Sequence, residues 1–349
     1  MRRTLAHVTL VALLVVGCAV AASPTPPAAG SPSPPAATPS PRPSESVGPS
    51  PSPTPQPAGV VARIDLPGQD VPGPVVAATA LAFDSLWLEP AARLDPFLLR
   101  IDLATNRVAA TIPLGEGGAV ALGERAIWLG GTTLELIDPD SGRVVARLAL
   151  DVGGPIAAGL GAVWVPGSDG RLRRVDPARM KVVAAWPVPG HPVVACDALW
   201  VIDSGGEPGT VAKRLDPATG RELARFSDAN GGARWIAAAA GSCWTLLGSQ
   251  DEENRPLTAW IARVDPEGNL ERSPALHARV RLLGDTFWTW TYRGLIQRID
   301  PLTGEPIGPA WRLPPEATPG GGWTLIAGGG SAWLVTRRQL LRLDIPTGG

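Results

Sequence analysis

The fold class predicted by the sequence is all-β: a seven-bladed β-propeller of four-stranded antiparallel blades. Three observations predict it. A Trp flanked mostly by apolar residues recurs seven times, at Trp87, Trp128, Trp164, Trp200, Trp244, Trp288 and Trp333. After each comes an apolar residue followed by Asp, at Asp102, Asp138, Asp176, Asp216, Asp265, Asp300 and Asp344, and five of these are Asp-Pro. Residues 59–349 number 291, so seven units average about 42 residues, the length of one blade.

In chain order, the first element is an address. Arg2 and Arg3 precede a short apolar run, Val8 to Val16, well under the ~20 residues that cross a bilayer. The run ends in Val15-Val16-Gly17-Cys18, which resembles the lipobox of bacterial lipoprotein signal peptides. That resemblance implies loss of residues 1–17, a diacylglycerol on the Cys18 thiol, and a membrane-anchored, extracytoplasmic chain of the bacterial cell envelope. The alternative is an ordinary signal peptide cut near Ala22, with Cys18 discarded. Residues 18–58 follow as a tether. Between positions 23 and 58 there are 14 Pro, with almost everything else Ala, Ser, Thr or Gly, so there is no apolar face to bury. As polyproline II its 36 residues reach ~110 Å at ~3.1 Å each.

The third element, residues 59–349, is the propeller. Its second unit shows the pattern: Ala119–Leu122, Ala126–Leu129, Leu134–Ile137 and Val144–Leu148, separated by Gly-rich or Asp-Pro turns. Two-residue alternation, β-branched residues and regular turns favour strands over helices. The seven Asp residues read as turn formers. An Asp side chain accepts backbone N–H bonds two residues on, Pro presets φ at the next position, and Gly supplies positive φ. The seven Trp residues read as wedges between neighbouring blades. The last unit ends after its third strand, Leu340–Leu343, while the orphan strand Val60–Ile64 precedes the first. Pairing these two closes the ring and removes the open edges that invite aggregation.

The repeat wording, V-x-x-I-D-x-x-T-x-x-V-x-x-x-I-P-L-G in Val-rich form, resembles the YVTN-type repeats. The phrase Gly161-Ala162-Val163-Trp164-Val165 is similar to the streptogramin-lyase (virginiamycin B lyase-like) branch of those propellers. The resemblance spans 60–345 and its motifs are structural, so it implies the fold. It also implies a rival activity, since those lyases use a His base and a divalent cation.

Meander topology sorts the loops. Inter-blade links and second-to-third-strand loops share one face, and this face carries the long ones: Glu89–Phe97, Asp203–Thr210, Asp228–Ala233, Gly248–Thr258 and Pro314–Gly322. Function is expected there, at the central mouth. The innermost strands are mostly small residues, but Arg281 stands where the aligned units carry Ala121 and Ala157, with Arg279 two residues before it on the same strand face. Arg234, Trp235, Trp290, Tyr292, Arg293 and Trp323 come from the same three units. Guanidinium groups and amphipathic aromatics at one mouth suit a carboxylate, a phosphate or a planar ligand. The competing reading is solvated arginines in a water-filled channel.

Composition narrows the function. With 31 basic and 32 acidic residues the net charge is −1, against a nucleic-acid binder. Three His and three Cys leave little for a clustered metal site, and no metal or cofactor is expected. The run Asp251-Glu252-Glu253-Asn254 lacks the spacing of a Ca²⁺ loop. The expected function is therefore a monomeric binding module without catalysis, engaging a protein, a glycan or a small anionic ligand. One alternative is a lyase-like enzyme with His191 as base and Mg²⁺ as cofactor, helped by Asp203, Glu207 or the acidic run. Another is a structural adaptor with no small-molecule site. Cys196 and Cys243, in the first-to-second-strand turns of consecutive units, are a possible disulfide outside the cytoplasm.

Overall fold

The computed structural model describes residues 55–66, 76–90, 96–114, 118–203, 210–227, 233–250, 256–291, 294–317, 323–336 and 338–346. Among these every regular element is a strand, and none is a helix long and apolar enough to cross a membrane. Cys18, the signal segment and most of the tether lie outside the described residues.

Two strands, β1 (Gln56–Pro57) and β2 (Val60–Asp65), precede the first complete blade. Blade 1 comprises β3 (Val76–Ala82), β4 (Ser85–Pro90), β5 (Phe97–Asp102) and β6 (Arg107–Pro113). Blade 2 comprises β7 (Ala119–Gly123), β8 (Ala126–Gly130), β9 (Thr133–Ile137) and β10 (Val144–Ala149). In blade 3 these are β11 (Ala157–Gly159), β12 (Ala162–Pro166), β13 (Leu172–Asp176) and β14 (Lys181–Trp186). Blade 4 has β15 (His191–Ala195), β16 (Ala198–Asp203), β17 (Val211–Leu215) and β18 (Glu222–Ser227). Blade 5 has β19 (Ala233–Ala239), β20 (Ser242–Gln250), β21 (Pro256–Val264) and a short β22 (Leu270–Arg272). Blade 6 has β23 (Arg279–Leu283), β24 (Thr286–Trp290), β25 (Leu295–Ile299) and β26 (Pro306–Arg312). Three strands remain at the C-terminus: β27 (Thr324–Gly328), β28 (Ser331–Val335) and β29 (Gln339–Pro346).

The seventh blade is built from both ends of the chain, in the order β2-β29-β28-β27, and β2 pairs antiparallel to β29 with Ile64 opposite Leu340. This is the closure expected from the orphan strand. The chain joins the fold earlier than residue 59, however. β1 adds a parallel fifth strand to blade 6, with Gln56 opposite Trp311, and the Ala58 N–H donates to the Arg312 carbonyl at 2.8 Å. Ala58 itself is buried. Strand pairing thus begins at Gln56, inside the segment expected as tether. A two-residue edge strand tolerates Pro57 because Pro withholds an N–H that an edge does not need.

Period-two alternation turns each strand's faces toward different neighbours. Residues pack into seven buried clusters, one per seam between blades, and each marker Trp enters the seam with the following blade. All seven Trp are buried, from Trp87 at 0 % exposure to Trp244 at 4 %. In Trp87, Trp128, Trp164, Trp244 and Trp333 the indole N–H donates to the carbonyl five residues back, at 2.9–3.1 Å. The Asp turns behave as turn chemistry requires: Asp102, Asp138, Asp176, Asp216, Asp265 and Asp300 accept backbone N–H bonds from two to four residues on. Side-chain bonds from Ser141, Arg179 and Asn269 to Asp138, Asp176 and Asp265, and the backbone bonds at Asp102, Asp216 and Asp300, are the largest causes that hold these carboxyls below the usual carboxylate range.

A third repeated residue lies opposite the Trp. The register pairs Trp87 with Arg100, Trp164 with Arg174, Trp200 with Arg214, Trp244 with Arg263, Trp288 with Arg298 and Trp333 with Arg342. Arg100, Arg174 and Arg342 lie over their Trp rings at 5.7–5.9 Å. Several reach on to the next blade's Asp turn: Arg100 to the Pro139 carbonyl, Arg214 to the Pro266 carbonyl, and Arg342 to the Asn106 side chain across the closing seam. The arginines thus cover the indole and join adjacent blades.

The blade 4–5 seam is different. Cys196 and Cys243 are joined by a disulfide, with Cα atoms 5.6 Å apart. Cys196 is in one two-residue hairpin turn (Cys196-Asp197) and Cys243 follows another (Ala240-Gly241) by two residues, and all four turn residues have positive φ, the geometry that suits the strands' twist. The disulfide borders a cleft of about 570 Å³, where β22 is too short to fill the seam. The buried Trp200 indole N–H has no acceptor among the described residues.

Candidate functional site

Strand register converts the expected mouth into positions. Opposite the marker Trp, the innermost strands carry Ala80, Ala121, Ala157, Val193, Ala237, Arg281 and Ile326 in blades 1 to 7. Arg281 is the one charged residue of this ring. Two residues nearer the loop face stand Ala78, Ala119, His191, Trp235, Arg279 and Thr324, in blades 1, 2, 4, 5, 6 and 7. Three sequence candidates, His191, Trp235 and Arg279, therefore occupy one level of three consecutive blades.

The structure divides the candidates between seams. Arg279, Arg281, Trp288 and Trp290 share the face of blade 6 turned to blade 7, by alternation and register. The Arg281 guanidinium lies over the Trp290 ring at 5.3 Å. Trp290 in turn meets Trp323 at 6.3 Å between centroids, with planes tilted by 54°. Both indoles are half-buried against the blade 6–7 core. Among the described residues no carboxylate or carbonyl pairs with Arg281. Burial, and secondarily the charge of Arg279, push its pKa down to about 10, so it remains a cation at neutral pH.

Trp235 goes elsewhere. It stacks on Phe287 at 6.3 Å and 22°, and Phe287 meets Trp244 edge-on at 5.2 Å. That stack belongs to the blade 5–6 core, so Trp235 is a packing residue and not a neighbour of Arg281. Of Arg234 the backbone in β19 is described; Tyr292 and Arg293 lie outside the described residues. Other off-phase indoles pack as well: Trp186 stacks on Trp164 at 5.9 Å, and Trp260 and Trp311 border the blade 4–5 and 6–7 cores.

His191 is at the mouth, its ring against Gly154 of the link into blade 3. Burial lowers its pKa, only partly offset by the charge of Asp203. The Asp203 carboxylate binds the Lys213 ammonium at 3.0 Å, and the buried His191 Nδ1 atom has no hydrogen-bond partner among the described residues. A general base is helped by a partner that orients it and keeps its pKa near the working pH, and Asp203 is instead bound to Lys213. Glu207 and the 251–254 run lie outside the described residues. Among the described residues no three His, Cys, Asp or Glu converge on a metal position.

One mouth residue escaped the sequence reading. Glu89 lies two residues after Trp87 on β4, the blade 1 counterpart of Trp290, and is only 8 % exposed. Its spacing from Trp87 was the available signal, since residues two apart share a face. Burial alone raises its pKa from 4.5 to about 7. The folded chain therefore holds this proton more tightly than the unfolded one. The associated stability is intact below about pH 4.5 and is lost as pH rises through about 7. At ~1.4 kcal/mol per unit, the loss is on the order of 3 kcal/mol. Urea unfolding at pH 8 should find Glu89→Gln more stable than the parent by about that amount, with the gap narrowing at pH 4.5. Parallel pH profiles for the two would show that the carboxyl is solvated.

No protein-family model matches the chain, and no curated protein does. Solved structures share its fold. It resembles Kuenenia stuttgartiensis hydrazine synthase with TM-score 0.57 and 12 % identity, covering 80 % of this chain and 97 % of that one. The β-propeller domain of Myceliophteria thermophila Cps50 (Swd1) aligns with TM-score 0.55 and 12 % identity, over 83 % of this chain and all of that one. BamB from Moraxella catarrhalis gives 0.50 and 12 %, over 82 % and 100 %. At this identity the likeness is one of fold: the chain is a seven-bladed β-propeller.

Proposed function

We propose that this β-propeller is a binding module of the cell envelope, anchored through lipid on Cys18 and held off the membrane by the Pro-rich tether. The observation that carries the binding assignment is the Arg281–Trp290–Trp323 cluster, a cation without a counterion among the described residues, beside half-buried indoles on the long-loop face. The Cys196–Cys243 disulfide supports an oxidising compartment. The lipobox and the YVTN-type wording support the envelope reading from sequence. Against catalysis through His191, Asp203 is bound to Lys213, and among the described residues the His191 Nδ1 atom has no hydrogen-bond partner.

A photo-crosslinking residue at Thr291, exposed on the mouth face, should capture a partner molecule in cells, whereas one at Glu267 on the Asp-turn face should not. Labelled fatty acid should enter the parent chain and not Cys18→Ala. Adducts only from Glu267, or a Mg²⁺-dependent turnover abolished in His191→Ala, would overturn the assignment.

A further inference from the structure

The Arg281 seam has a geometry that narrows its ligand. A guanidinium is flat, and its five N–H bonds point outward in its own plane. The Arg281 guanidinium carbon lies over the Trp290 ring, 5.3 Å from its centroid, and among the described residues no acceptor takes its N–H bonds, which are left to receive an oxyanion. Arg279 has an interaction of its own, so the charge on offer is that of Arg281. In six of the seven blades this register carries an uncharged residue, Ala, Val or Ile, so the fold itself does not call for a cation there. The indoles add a second constraint. Trp290 and Trp323 are tilted by 54° at 6.3 Å, which leaves no parallel slot for a flat aromatic between them. A puckered ring can rest its C–H face on one indole while its charged substituent reaches the guanidinium.

We propose that this seam binds an acidic sugar, a six-membered saccharide ring bearing one carboxylate or one phosphate. The proposal rests on the mouth being the binding face and adds the chemical class of the ligand. Arg281 holds the oxyanion edge-on, Trp290 and Trp323 carry the ring, and Arg279 raises the local positive potential without being required to touch the ligand.

The test uses the full chain in detergent, with thermal unfolding and calorimetric titration. The probes are D-glucuronate, D-glucose 6-phosphate, D-glucose and inorganic phosphate at equal concentration. The glucuronate or the sugar phosphate should raise the melting temperature, and which of the two does so separates carboxylate from phosphate. Glucose and inorganic phosphate should raise it far less. Arg281→Met should abolish the shift, Arg281→Lys should keep part of it, and Trp290→Leu should weaken binding at least tenfold. No response to either acidic sugar, an equal response to inorganic phosphate, or a shift that survives Arg281→Met would overturn the proposal. Mouth crosslinks to a protein together with no acidic-sugar response would leave the binding-face reading standing and remove this one. Absence of mouth crosslinks would remove the broader reading independently.

Discussion

A chain that begins after Leu66 is expected to lose the closed ring. Removal of β1 and β2 takes Ala58, Ile64 and Leu66 out of the blade 6–7 and 7–1 seams, where Ile64 and Leu66 are 7 % and 6 % exposed. Burial of each large aliphatic side chain contributes about 2 kcal/mol. Their joint loss approaches the low end of a domain's total stability of ~5–15 kcal/mol. The deletion also uncovers the β29 edge, a template for pairing with another copy. By contrast, a chain that begins at residue 55 keeps every described contact. Circular dichroism melts and size-exclusion chromatography should show the 55-start chain melting with the parent, and the 67-start chain aggregated or melting far earlier. Coincident melting of the two would mean that closure contributes little.

The second large effect concerns the disulfide. Cys196 and Cys243 are 47 residues apart, and crosslinking a loop of that size removes about 4 kcal/mol of denatured-state entropy in the chain-entropy model. The double variant Cys196→Ser/Cys243→Ser should therefore melt ~10 °C below the parent at neutral pH. Reductant should lower the parent toward the variant and leave the variant unchanged. Blades 4 and 5 make this bond matter more than its length suggests. Their seam has the short β22, the cleft beside it and an indole N–H without an acceptor among the described residues, so the other attachments there are thinner. Equal melting of parent and double variant would place the stability of this seam entirely in its apolar cluster.

Much of this architecture was legible in the residues because it is periodic. The Trp and Asp markers recur in phase, and a turn that needs Asp chemistry needs it in every blade. The orphan strand Val60–Ile64 revealed closure because its alternation matched a missing fourth strand. Features that depend on tertiary register were hidden. An Arg precedes the Asp by two positions in six units, yet its role over the indole and toward the next blade follows only once the strands are paired. β1 carries no apolar pattern, and its parallel pairing is decided by where the tether meets blade 6. Among the mouth candidates, sequence placed Trp235 and Trp290 together because both belong to neighbouring units. The ring separates them, since they face opposite sides of blade 6. Arg281 was legible as a break in the small-residue rule, but its position over the Trp290 ring was not.

A cation kept in this seam with no counterion among the described residues has a thermodynamic cost in the free protein. Burial and the charge of Arg279 push Arg281 down to about 10, so the folded chain resists a charge that the unfolded chain carries freely. Sites that hold uncompensated charge are a common reason for function and stability to conflict. The seam's apolar surroundings, Trp288, Trp290 and Leu283, are suited to a methionine of similar length.

The most direct test of the account is the stability of Arg281→Met in the absence of any ligand, by urea unfolding at pH 7. Replacement of a half-buried charge that is unpaired among the described residues by an apolar side chain should make the chain more stable, by on the order of 2 kcal/mol. A variant less stable than the parent would mean that Arg281 is held by contacts within the fold, and that this seam is architecture and not a binding site.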